Sequence, residues 1–212
     1  LVTSGSLKSL ADYGRGDEVV LLTAFLDDPH GYGRIVRTGD GAVSSVVEEK
    51  DTTPEESAIG EVNTGFMRLP AGPLKSWLAG LSNDNAQGEF LLTDVVGLAV
   101  GDGVEVKALV VADAAETLGV NSRTQLARAE RIIQRRYAEA VMESGAMLVD
   151  PARFDVRGTL KVGRDIFIDA GVLFEGEVEL GDRVHIGPNT VISDSRLGDG
   201  CLVHPNSVLH GV

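Results

Sequence analysis

The feature that most constrains the fold is a six-residue repeat in the last quarter of the chain. Large aliphatic or aromatic residues recur at every sixth position, and the spacing resumes after one five-residue step. These anchors are Val162, Ile168, Phe174, Leu180, Ile186 and Ile192, followed by Leu197, Val203 and Leu209. An amphipathic helix needs spacings of three and four, whereas a period of six is typical of a parallel β-helix, in which each hexad forms one flat side and a turn. We therefore expect the anchors to point inward and to stack.

The first ~110 residues show a different pattern, in which strand and helix signals alternate. Short apolar or alternating runs predict strands at 18–25, 62–69 and 104–111, and a hairpin from 35–37 and 42–47. Pro73 opens a predicted helix whose apolar face includes Trp77 as a core residue, and Thr93 is a candidate cap for a short helix to about Val100. This alternation predicts an α/β domain with a largely parallel sheet.

Between these halves, residues 122–144 have the spacing of an amphipathic helix. Its predicted apolar face consists of Leu126, Ala129, Ile133, Tyr137, Ala140 and Val141, and arginines occupy much of the remainder. A connecting helix with a solvated basic face explains the pattern better than a nucleic-acid helix does. The sequence thus predicts three parts: an α/β domain at 1–121, a connecting helix at 122–145 and a β-helix from 146 to 212.

Composition narrows the range of partners. Lys and Arg number 19 against 32 Asp and Glu, which gives a net charge of -13, so neither nucleic acid nor an anionic membrane is expected as a partner. The single cysteine, Cys201, excludes an internal disulfide framework. No apolar run approaches the ~20 residues of a membrane-spanning helix.

Several polar clusters in the first part are candidate ligand contacts, and each also has a purely structural explanation. Gly33 in Gly-Tyr-Gly allows a ligand to approach the backbone, although a tight turn explains the motif equally well. Glu48 at the end of the hairpin can accept bonds from sugar hydroxyls, or it is a solvated strand-end charge. Asn63 suits an acetamido group or a turn. Asn121 is a helix N-cap or an oxygen ligand for a hard cation.

Taken together, the order and spacing of these clusters resemble one family. The segments are 27–34 (DDPHGYGR), 47–51 (VEEKD), 62–65 (VNTG), 83–89 (NDNAQGE), 119–123 (GVNSR) and 150–158 (DPARFDVRG), the last followed by the hexads. The sequence is similar over essentially its whole length to bifunctional N-acetylglucosamine-1-phosphate uridyltransferase/glucosamine-1-phosphate acetyltransferase.

The resemblance implies a bacterial cytoplasmic enzyme of UDP-N-acetylglucosamine synthesis. It implies a Rossmann-like nucleotidyltransferase domain, here partial, followed by a partial left-handed parallel β-helix that forms a homotrimer. The substrates would be N-acetylglucosamine-1-phosphate and UTP, with Mg²⁺ as the cofactor. Acetyl-CoA would be a substrate of the acetyltransferase part.

By resemblance, Gly33, Glu48 and Asn63 hold the N-acetylglucosamine moiety, and Asn121 ligates Mg²⁺ and contacts the nucleotide sugar. No catalytic residue is assigned. The resemblance also implies that the nucleotide loop precedes Leu1 and that the acetyltransferase residues follow Val212, so His185, His204 and His210 receive no catalytic role. We therefore expect no UTP turnover by the 212 residues alone.

The sequence differs from the family pattern at one point, and two other functions are compatible with it. Phe90 and Leu91 stand where the family more usually has two tyrosines, so no tyrosine hydroxyl contact is expected there. One alternative is another sugar-1-phosphate nucleotidyltransferase with a β-helix tail, such as a glucose-1-phosphate adenylyltransferase. The other is a non-catalytic, trimerising β-helix scaffold.

Overall fold

The computed structural model describes the entire sequence, Leu1–Val212, and the chain divides into two compact units, Leu1–Gly119 and Val120–Val212. None of its helices is both long enough and apolar enough to cross a membrane.

The first unit contains one five-stranded sheet and four helices. Its helices are α1 (Ser4–Asp12), α2 (Pro54–Ser57), α3 (Ala71–Ala79) and α4 (Val95–Gly101), and its strands are β1 (Val19–Phe25), β2 (Arg34–Arg37), β3 (Val43–Val47), β4 (Glu61–Arg68) and β5 (Val106–Val110). Short 3₁₀ turns at Glu49–Asp51, Leu92–Asp94 and Ala114–Thr117 complete it. Every predicted strand is present to within two residues at each end.

The prediction of a largely parallel sheet is wrong. The strand order is β3-β2-β4-β1-β5, and within this sheet only β1 and β5 run parallel. β2 and β3 form the expected hairpin, and β4 lies antiparallel to both β1 and β2. The periodicity of a strand gives its buried face but not its direction, which explains the error.

Both faces of this sheet are covered, because alternate residues of β1 enter different cores. Val19 and Leu21 pack in a cluster with Trp77 of α3 and with residues of α4, whereas Val20 and Leu22 pack with Leu10 of α1. Trp77 is 3% exposed and its Nε1–H donates to Asp102 Oδ2 at 2.7 Å, so the prediction that it is a core residue is confirmed.

The second unit is a long helix followed by a parallel β-solenoid. The helix is α5 (Arg123–Glu143), and the strands are β6 (Met147–Leu148), β7 (Phe154–Val162), β8 (Phe167–Ile168), β9 (Val172–Leu180), β10 (His185–Ile186), β11 (Val191–Ser193), β12 (Arg196–Leu197), β13 (Leu202–Val203) and β14 (Val208–His210). All strand pairs in this unit are parallel. Phe154 pairs with Val172, eighteen residues on, whereas Val191 pairs with Val208, seventeen residues on. The shorter coil accommodates the five-residue step in the repeat.

The hexad anchors fill the interior of the solenoid as predicted. Ile168, Phe174, Leu180, Ile186 and Ile192 are at most 3% exposed, while Val162 is partly buried against the same cluster. The turns use left-handed backbone, with positive φ at glycines and at five other residues. One of these is Arg183, a residue type for which this conformation is unfavourable.

Helix α5 agrees with the predicted range, but its buried face matches the predicted one only in part, at Ala129 and Val141. Its buried residues are Ala129, Gln134, Ala138 and Val141, whereas Leu126 and Tyr137 are exposed. Gln134 binds the backbone of β7 twice, because its Oε1 accepts the Val156 N–H at 2.7 Å and its Nε2 donates to Val156 O at 2.9 Å. A polar residue therefore occupies the central buried position of the helix.

Candidate functional site

Gly33, Glu48 and Asn63 are neighbours at one edge of the sheet of the first unit. Arg34 pairs with Val47 on β3 and with Val62 on β4. The register therefore places Gly33 beside both Glu48 and Asn63. The Asn63 N–H donates to Gly33 O at 2.8 Å. Three residues that are far apart in the sequence thus form one cluster.

Gly33 is buried at a point where a side chain would be crowded by its neighbours. A Cβ at this position would stand 3.0 Å from Val46 Cγ1 and 3.3 Å from Glu48 Oε2. Its φ angle is not left-handed, so close approach rather than backbone conformation requires glycine here. The Gly33 N–H has no hydrogen-bond partner within the chain.

Glu48 is held by a residue to which the sequence analysis gave a different role. Thr93 Oγ1 donates to Glu48 Oε1 at 2.9 Å. The prediction that Thr93 caps a helix is wrong, because Thr93 lies inside the 3₁₀ turn Leu92–Asp94, and Asp94 precedes α4 without a side-chain cap bond. A threonine before an apolar helix is a common cap signal, and only the long-range contact with Glu48 distinguishes the two roles.

Asn63 owes its position to a β-bulge. The register between β1 and β4 shifts between Leu21 and Thr23, and Gly65 has φ +84°. Asn63 Oδ1 accepts the Gly65 N–H at 3.3 Å, and the side-chain NH₂ makes no bond within the chain. Bulges often redirect side chains next to functional sites. The interruption that Asn-Thr-Gly makes in the strand pattern corresponds to this bulge.

An ion pair between the exposed Arg37 and the buried Glu61 supports the strand that carries Asn63. Arg37 donates from Nε and from Nη2 to the two oxygens of Glu61, each at 2.8 Å, and Thr23 Oγ1 donates to Glu61 Oε1 at 2.9 Å. The hydrogen bond with Glu61 raises the pKa of Arg37, against the opposing effect of burial. Thr23 pairs directly with Asn63 across β1 and β4, so this network holds in place the strand segment that carries Asn63.

The Gly-Tyr-Gly turn is anchored by contacts with Glu49 and with Gly119. Glu49 accepts the Gly31 N–H at 2.8 Å and lies 2.8 Å from His30 Nδ1. Burial acts to raise the pKa of Glu49, but the Gly31 N–H, His30 and Arg34 together lower it. The Tyr32 hydroxyl accepts the Gly119 N–H at 2.9 Å. The turn is therefore held in place before any ligand binds.

A loop at 82–91 is fastened to the segment that follows Glu48. Asp51 Oδ1 accepts the Ala86 N–H at 2.8 Å, and Lys50 Nζ donates to Gln87 Oε1 at 2.8 Å. Burial, together with the charge of Asp51, raises the pKa of Asp94. Phe90 is 68% exposed in this loop.

Asn121 belongs to the second unit and lies just before α5. Its backbone N–H donates to Gln125 Oε1 at 2.8 Å, while Ser122 is the N-cap and accepts the Gln125 N–H. The cap interpretation of Asn121 is therefore wrong, and its exposed amide is free for another role. No three His, Cys, Asp or Glu side chains are grouped to hold a metal ion. An amide oxygen is a suitable Mg²⁺ ligand, but Mg²⁺ needs further oxygens around it.

The site offers hydrogen-bonding groups of both kinds at one place. Glu48 is an acceptor, and the Gly33 N–H and the Asn63 amide are donors. Such a set suits a ligand with several hydroxyl and amide groups, as a sugar has. Fold and site together define a class: an α/β unit with a cluster of polar groups at one edge of its sheet, followed by a parallel β-solenoid.

No protein-family model matches the chain. Curated relatives do, and they are bifunctional GlmU proteins. The chain is 51% identical over 214 residues to the protein of Methylibium petroleiphilum, 53% identical over 209 residues to that of Alkalilimnicola ehrlichii and 54% identical over 200 residues to that of Bordetella petrii. These matches cover 100%, 99% and 94% of this chain, and 46%, 44% and 44% of the relatives.

The chain is thus related over its whole length to the GlmU proteins, and the family recognised from the motifs is confirmed. It spans about 46% of the length of the M. petroleiphilum protein.

Proposed function

We propose that this chain is part of an enzyme of UDP-N-acetylglucosamine synthesis. The observation that carries the proposal is the cluster of Gly33, Glu48 and Asn63 in a chain about half identical to bifunctional GlmU proteins. The reaction is uridylyl transfer, in which a phosphate oxygen of N-acetylglucosamine-1-phosphate attacks the α-phosphorus of UTP and pyrophosphate leaves. The whole protein also acetylates glucosamine-1-phosphate with acetyl-CoA.

In this proposal the first unit binds the sugar and orients its phosphate. The Gly33 N–H and the Glu48 carboxylate bind sugar hydroxyls, and the Asn63 amide binds the acetamido group. Such positioning accounts for much of the acceleration of a phosphoryl-type transfer. Asn121 supplies one oxygen to Mg²⁺, which when bound neutralises charge on the phosphates.

We further propose that the first unit is part of a Rossmann-like nucleotidyltransferase domain and that the second begins a left-handed acetyltransferase β-helix. We propose a homotrimer built on the solenoid, since its outer faces carry aligned apolar side chains. Met147, Phe167, His185 and Leu202 are paired in succession on one face, and Met147 and Leu202 are about 60% exposed. Exposed apolar surface of this kind is typical of subunit interfaces.

The sugar site is tested by titrating the ¹⁵N-labelled chain with N-acetylglucosamine-1-phosphate and, separately, with glucose-1-phosphate. We expect amide shifts at Gly33, Glu48 and Asn63, and tighter binding of the acetamido sugar. Asn63→Ala should remove most of that preference, about tenfold, because one buried hydrogen bond is lost. Lys75→Ala, at an exposed position of α3, is the control.

The alternatives predict other outcomes. Equal or tighter binding of glucose-1-phosphate would favour a different sugar-1-phosphate nucleotidyltransferase. Binding of neither ligand, in a folded chain, would contradict the sugar site and favour the scaffold.

A further inference from the structure

The carboxylate of Glu48 is fixed by a contact from a separate segment of the first unit. Thr93 is 8% exposed, and its hydroxyl donates to Glu48 Oε1 at 2.9 Å. The other oxygen, Oε2, faces Gly33, 3.3 Å from the point where a Cβ of that residue would stand. The two oxygens of Glu48 therefore have different surroundings: one accepts a hydrogen bond from Thr93, and the other lies next to Gly33.

The Thr93 hydroxyl does not serve the helix that follows it. Its donor bond goes to Glu48, and it accepts no N–H from α4, whose preceding residue, Asp94, also lacks a side-chain cap bond. A threonine hydroxyl that is buried in a 3₁₀ turn and directed at a carboxylate 45 residues earlier is therefore explained by the site rather than by the local backbone.

Two further contacts set the distance between these segments. Lys50 binds Gln87 and Asp51 binds the Ala86 N–H, so the segment 86–93 is joined to the segment 48–51 at both ends. Thr93 therefore approaches Glu48 from a fixed position. A carboxylate ordered in advance loses less conformational entropy when a ligand binds.

We propose that Thr93 is a positioning residue that fixes the side chain of Glu48, so that Oε2 accepts a hydrogen bond from a hydroxyl of the bound N-acetylglucosamine-1-phosphate. This inference rests on the sugar site proposed above. Thr93 acts through Glu48. Removal of the Thr93 hydroxyl should therefore disorder the Glu48 carboxylate more than it affects the rest of the first unit.

The first experiment needs no ligand. Side-chain ¹³C relaxation of Glu48 is compared in the 212-residue chain and in T93V, T93S and T117V. Thr117 is the matched control, because it is 6% exposed and its hydroxyl donates to Ala114 O at 2.9 Å. We expect a lower order parameter for Glu48 in T93V, with wild-type values in T93S and T117V. Unchanged order in T93V would overturn the positioning role.

The second experiment measures affinity for N-acetylglucosamine-1-phosphate. T93V should bind about tenfold more weakly, while T93S and T117V should stay within about threefold of wild type. In an E48Q background the same T93V change should have little further effect, whereas a general loss of packing would weaken both backgrounds equally.

The two proposals can fail separately. If the order parameter of Glu48 falls in T93V but the wild-type chain binds no sugar phosphate, the positioning role stands and the proposed function is contradicted. If wild-type chain and T93V bind the sugar phosphate equally well, the function stands and the positioning role is overturned.

Discussion

At the scale of single residues, the first unit places a buried carboxylate at the end of the sheet opposite the candidate site. Glu18 directly precedes β1 and is 3% exposed. It is bound by Lys107 Nζ at 2.7 Å, by Arg68 Nη2 at 3.3 Å and by the N–H groups of Arg15 and Gly16. The hydrogen bond with Lys107, opposed by burial and assisted by the backbone N–H groups, lowers the pKa of Glu18 from 4.5 to about 2.

This carboxylate makes the stability of the first unit depend on pH. Because its pKa is depressed in the folded state, its contribution is present above about pH 4.5 and is lost as the pH falls towards 2. Glu18→Gln should therefore lower the free energy of unfolding clearly at pH 7 and much less at pH 3. Urea unfolding followed by Trp77 fluorescence measures this, since Trp77 is the single tryptophan and lies in this unit. Glu89→Gln, at an exposed position, is the control, and an equal loss at both pH values would contradict the assignment.

At the scale of elements, the attachment of α5 to the solenoid depends on Gln134. Replacing Gln134 by Ala leaves both the N–H and the C=O of Val156 buried without partners, and each such group costs about 1–3 kcal/mol. We expect a loss of about 2–6 kcal/mol in the free energy of unfolding and faster hydrogen exchange at the Val156 amide. Arg128→Ala, at an exposed position of the same helix, should cost less than about 0.5 kcal/mol. Slow exchange at Val156 in the Gln134 variant would show that the contact is dispensable.

The elements also show what the sequence can and cannot predict. The hexad spacing predicts the solenoid and its interior, because inward anchors repeat at a fixed period. Strand direction in the first unit is not predictable in this way, since β4 has the same alternation whether it runs parallel or antiparallel to β1. Gln134 was missed because a buried amide at a helical core position leaves no apolar signal. Thr93 was misassigned because its partner, Glu48, lies 45 residues away.

At the scale of the whole molecule, the chain joins an α/β unit that carries the candidate site to a β-solenoid. Gly33, Glu48 and Asn63 are adjacent because of the register of β2 against both β3 and β4. The sequence pattern does not predict this register. Their joint assignment came instead from the resemblance, which the relatives confirm at the level of the family. The roles of the individual residues, that of Asn121 included, are proposals.

The most direct test of the account is Mg²⁺-dependent pyrophosphate release by a chimera. In it, the matched 214 residues of the M. petroleiphilum GlmU protein are replaced by this chain. We predict pyrophosphate release from UTP and N-acetylglucosamine-1-phosphate, and a loss of tenfold or more in kcat/KM for Asn121→Ala, where each tenfold corresponds to about 1.4 kcal/mol. Lys75→Ala, at an exposed position of α3, should leave the rate of the same chimera unchanged. A folded chimera that releases no pyrophosphate, or an Asn121→Ala variant as active as its parent, would contradict the account.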